Sequence, residues 1–189
     1  MQNLLEFLRQ FNWIDILVFA VFFRVSLVAL KNGLPFESLK ISGTFLALYL
    51  SLHYYVSLAN SFISHSNSKN APVILFGTIS FLVLAFLGYS IFVLIRFVVC
   101  RFIKTEITPV LSKWGGFVLG LVRALLLSGI LLFVLMMSGA VYFRKSIHNS
   151  LSGTSIVKVA PATYAWFWHK IMSKFMANEK FNGSVLDVK

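Results

Sequence analysis

A chain of 189 residues has the length of one soluble domain, but 58% hydrophobic and only 12% charged residues lie far from soluble averages. The net charge of +11 asks for an anionic partner, yet the basic residues flank apolar runs singly or in pairs, a footprint that favours anionic lipid headgroups over nucleic acid. The single cysteine, Cys100, leaves no internal disulfide, and no Cys–His spacing resembles a zinc site, so no cofactor or metal is expected.

In chain order, Leu4, Leu8 and Phe11 recur at helical spacing and predict a short surface helix in residues 1–12. Four stretches almost empty of charge follow, Phe11 to Leu30, Ile41 to Ala59, Pro72 to Ile95 and Ala124 to Phe143, each about long enough to cross a hydrocarbon core of ~30 Å. No small-x-small cleavage site precedes Lys31, so the first stretch reads as a retained helix and not a signal peptide. Asp15 beside Trp13 reads as a shallow, water-reachable carboxylate, and Arg24 either snorkels toward the headgroups near Lys31 or meets a buried partner or polar pathway. Gly33 suits a helix C-terminal cap and Pro35 blocks continuation, so the first two helices are expected as antiparallel neighbours.

His53-Tyr54-Tyr55 reads as an aromatic belt at the headgroups, and the polar run Ser64 to Asn70 as an exposed loop ahead of Pro72. Beyond Ile95, Arg96, Arg101, Lys104 and Lys113 alternate with Phe97, Phe102, Ile103 and Ile107, a basic surface segment broken at Pro109. Gly116, Gly120, Ala124 and Ser128 then form a stripe of small residues that lets another helix approach closely. Arg123 lies on its edge, where it either pairs with Glu37 inside the bundle or marks the headgroup boundary of a span beginning at Ala124. Ser146 to Ser155 reads as a linker that cannot bury enough apolar area to order itself. Finally Tyr164, Phe167, Trp168, Ile171, Met172 and Phe175 share one helical face while Lys170 and Lys174 take the other, which predicts a helix lying flat with its aromatics among acyl chains. The expected fold is an all-α membrane protein with four transmembrane helices (13–143), a surface segment (1–12) and a C-terminal part (144–189) carrying an amphipathic interfacial helix.

Several of these residues together resemble the bacterial colicin V production protein family. Trp13-Ile14-Asp15 is similar to the family's W-x-D opening, and Gly33 with Glu37 to its G-x-x-x-E loop. Gly116, Gly120 and Arg123 are similar to its glycine and arginine pattern entering the last helix. Asn32 and Pro35 depart from the first-loop pattern, and Ala124 replaces a usual glycine. The resemblance implies a four-helix inner-membrane protein tied to peptide-toxin production or export and to the cell envelope.

No nucleophile with a base, paired carboxylate or phosphate-binding glycine loop is present, so an enzyme is the weakest class. A membrane accessory or scaffold protein fits best; the alternative is a subunit of a small-solute channel or transporter using Asp15, Arg24, Glu37 and Arg123. Expected partners are the bilayer's anionic headgroups, further copies of the chain, or secretion and envelope proteins. The basic third loop favours an orientation with both termini periplasmic.

Overall fold

The computed structural model describes residues 12–65, 73–102, 109–176 and 178–186. The surface helix expected ahead of Asn12, most of the polar loop from Ser64 to Asn70, and Ile103, Lys104 and Ile107 lie outside the described residues. Among the described residues the chain is helical, without strands. It forms α1 (Trp13–His65), α2 (Val73–Phe102), α3 (Pro109–Met137), α4 (Val141–His148), α5 (Gly153–Ile156) and α6 (Val159–Phe167). A π-helical turn (Trp168–Met172) leads from α6 into α7 (Ser173–Phe175), and a 3-10 turn covers Gly183–Val185. Three helices are long and apolar enough to cross a membrane: Trp13–His65, Val73–Val98 and Val110–Met137.

The first of these, 53 residues long, would measure about 80 Å if straight, far more than a bilayer core. It breaks at Gly33, whose φ of 74° and ψ of 176° lie where a residue with a Cβ is strained. Pro35, which has no amide hydrogen to donate, sits harmlessly in the first turn after the break. The arm before it (13–32) runs antiparallel to α3: Gly33 lies against Gly116, Ala29 against Gly120, and Val18 shares a core cluster with Leu132 and Met136. The arm after it (34–65) runs parallel to α3, from Glu37 beside Arg123 to Tyr55, which packs through Phe81 onto Phe133. The two arms therefore reverse at Gly33, as its C-cap character suggests. α2 returns along the second arm, with Phe92 against Gly43 and Gly88 against Ala47, and Thr78 Oγ1 donates to the Met137 carbonyl at 3.3 Å.

α3 differs from the expected fourth stretch. It starts at Pro109, carrying Lys113 and Arg123 within the helix, and ends at Met137 before Gly139, whose φ is 75°. Charge-free length marks where lipid is tolerated, whereas helix ends are set by Pro and by a glycine able to turn the chain.

The C-terminal part also differs. Val157 and Ile147 join Ile14 in a buried cluster, Ala160 packs on Gly129, and Tyr164 and Trp168 enter the main core with Leu48, Leu52 and Leu126. The chain then turns back: the Tyr49 hydroxyl meets Met176, Asn182 Nδ2 donates to the Leu52 carbonyl at 2.7 Å, and Ser184 reaches a hollow shared with Ala59 and Asn60. This segment is a hairpin that descends along the bundle and returns. The apolar face expected among acyl chains is thus split, with Tyr164 and Trp168 buried in protein and Phe175 81% exposed. Periodicity identifies an apolar face but not whether lipid or protein covers it.

Candidate functional site

The turn at Gly33 brings Asn32 and Glu37 to the foot of the second arm. Glu37 is fully buried, and its Oε1 accepts from Asn32 Nδ2 at 2.9 Å and from Lys40 Nζ at 3.0 Å. Arg123 Nη1 approaches Oε2 to 3.2 Å from α3. The small-residue stripe explains why Arg123 points inward. A side chain at Gly116 would come within 3.0 Å of Gly33 and Ala29, and one at Gly120 would strike the Ala29 side chain. Backbones this close turn the whole edge of α3 toward the first arm, and Ala124 and Ser128 on the same stripe are fully buried. Arg123 is an interior residue of α3, so its reading as a headgroup marker gives way to the ion pair.

Asp15 is not the water-reachable carboxylate expected from its neighbour Trp13. It is 5% exposed and accepts from the Asn12 amide at 3.0 Å, the Ser152 amide at 2.9 Å, the Ser152 hydroxyl at 2.6 Å and the Leu151 amide at 3.3 Å. These bonds tie the serine-rich stretch onto the start of α1 and order it, offsetting the small apolar area that made it read as a linker. Arg24 lies apart from both carboxylates, exposed on the outer face of the first arm.

The sequence reading missed a third cluster. His53 is buried, its Nδ1 2.8 Å from the Tyr164 hydroxyl and its Nε2 2.6 Å from Glu179 Oε2. Its ring stacks between Tyr49, at 5.2 Å, and Trp168, at 4.9 Å. Tyr54 donates to Glu179 Oε1 at 2.8 Å, and Asn182 N donates to the Tyr164 hydroxyl at 3.2 Å. The hydrogen bond from Tyr54 and the adjacent His53 outweigh desolvation and hold the Glu179 carboxyl below its ordinary pKa, while burial pushes the Tyr164 hydroxyl up. Hydroxyl, imidazole and carboxylate stand in the order of a proton relay, but Tyr164 has no exposed surface to meet a substrate. These bonds fasten the returning hairpin to the second arm. The signal for it was a histidine inside an apolar helix, which demands buried partners that an aromatic belt would not supply.

The family profile described as Colicin V production protein matches residues 14–161 of this chain. The chain belongs to the colicin V production protein family. No curated protein and no solved structure matches it. The match begins beside Asp15 and runs through Gly33, Glu37, Gly116, Gly120 and Arg123, so it contains the Glu37 ion pair whole. It stops within α6, before Tyr164, Phe167, Trp168, Lys170, Ile171 and Lys174 and before Glu179. The colicin V production match thus takes in the bundle and its internal charges, while the clamped return of the hairpin lies beyond it.

Proposed function

We propose that this protein crosses the bacterial inner membrane four times, with both termini periplasmic, and acts as an accessory or packing scaffold in peptide-toxin production and envelope upkeep. Membership in the colicin V production protein family supports the process. The reversal at Gly33 supports two crossings by α1, with one each by α2 and α3. The observation that carries the scaffold reading is that Glu37 and Arg123 pair with each other and Asp15 is bonded to Ser152, while Arg24 sits on the outer face. A continuous polar path would need such groups lining one water-filled route. Its partners are envelope or secretion proteins, further copies of the chain and anionic lipid.

Cysteine accessibility tests this reading. With Cys100 replaced by serine, Thr44→Cys and Ser128→Cys place near-isosteric thiols at buried positions of the second arm and of the small-residue stripe. A scaffold leaves both unreactive to a membrane-impermeant thiol reagent added from either side. Labelling of both would overturn the scaffold in favour of a channel or transporter subunit.

A further inference from the structure

Two cations meet one carboxylate at Glu37. Arg123 and Lys40 both approach it, so among the described residues the cluster carries one uncompensated positive charge. Lys40 also borders a cleft of only about 10 Å³ between the second arm of α1 and α2, together with Gly43, Phe92 and Arg96, so a group larger than a water can lie only at its rim. Arg96 forms no ion pair among the described residues and adds a second positive charge to the same cleft. Phe92 is a shared wall: beyond it opens a hollow of about 700 Å³ between the second arm and the C-terminal hairpin, bordered by Leu46, Trp166 and Ile171. Along the second arm the hollow reaches from Ser42 to Tyr54, about 18 Å of helix, slightly more than one leaflet of a ~30 Å hydrocarbon core.

We propose that one anionic phospholipid docks here, its phosphate at the outer rim of the cleft beside Lys40 and Arg96 and one acyl chain along the hollow. Basic pockets between membrane helices suit anionic headgroups, and this one lies where positive charge is in surplus. A peptide is a poor occupant because its amides would find no partners. The polar groups on the wall are already engaged, Ser42 with the Ser38 carbonyl, Tyr49 with Met176 and Tyr54 with Glu179. The inference goes beyond the scaffold reading, and its failure would leave that reading untouched.

The test is native mass spectrometry of the full chain in detergent, titrated with phosphatidylglycerol and with phosphatidylcholine of the same acyl chains. The wild type should retain one phosphatidylglycerol with about tenfold preference over phosphatidylcholine, from two cations near one phosphate. Arg96→Gln should reduce that preference, and Leu46→Trp, which fills the hollow, should weaken retention of both lipids. Equal retention of the two lipids by the wild type, or wild-type behaviour of both variants, would overturn the proposal. Should Leu46→Trp fail to fold, the part of the tryptophan quenching by phosphatidylglycerol with brominated chains that is lost in Trp166→Phe gives the second reading. Saturation at one lipid per chain supports the site, and quenching that only grows with bulk lipid overturns it.

Discussion

His53 Nε2 lies 2.6 Å from Glu179 Oε2 across 126 residues of sequence, joining the middle of the second arm to the returning C-terminal hairpin. A hydrogen bond to a charged group contributes about 1.5–3 kcal/mol, so its loss is a tenfold effect or more on local opening. His53→Ala and Glu179→Gln should each speed backbone hydrogen exchange of residues 178–186 by about tenfold while leaving exchange in α3 unchanged. Unaltered exchange in the hairpin would show that apolar packing around Trp168 and Tyr164 suffices to hold it.

The same clamp should respond to acid. The folded-state pKa of Glu179 lies below its ordinary value of 4.5, so its contribution is fully present above that value and is lost as pH falls through the lowered one. Trp168, stacked on His53, reports the release. Its fluorescence should show a step on the acid side of 4.5 that disappears in Glu179→Gln.

The Glu37 cluster should be asymmetric under mutation. Glu37→Ala strands both Arg123 and Lys40, whereas Arg123→Ala leaves Glu37 still paired with Lys40 and Asn32. Breaking a buried pair costs about 3–5 kcal/mol, so Glu37→Ala should lie at the severe end and Arg123→Ala below it. The double variant should lose less than the sum of the two, measured by unfolding in detergent. Strict additivity would remove the coupling.

Gly120→Leu drives a side chain into Ala29. Overpacking of this kind costs about 1–3 kcal/mol, and because the contact lies within one chain the loss should persist on dilution to monomers. Ala29→Gly should restore part of it. A loss that vanished with dilution would assign the stripe to an interface between copies.

The bundle was largely legible in the sequence because the bilayer restricts the choices: apolar length, a Gly33-Pro35 break and an i+4 run of small residues are each compatible with few arrangements in lipid. The Arg123–Glu37 pair was legible as one of two options, since turning a helix edge inward fixes where its charge must go. Asp15 and His53 were misjudged for a common reason. Their partners, Ser152 and Glu179, come from segments whose composition suggested solvent or lipid, and no local pattern reports a contact made across so long a stretch of chain.

The hairpin's return has a consequence for assembly order. Glu179 and Asn182 follow every membrane-crossing helix in the chain, so until they emerge His53 Nε2 lacks its Glu179 partner even after Tyr164 has been made. The helices can insert one by one, each satisfied by its own backbone, but this closure awaits Glu179 and Asn182. A membrane protease surveying newly made proteins would therefore find an unlatched hairpin on any molecule still lacking residues 179–182 and a latched one once they are in place.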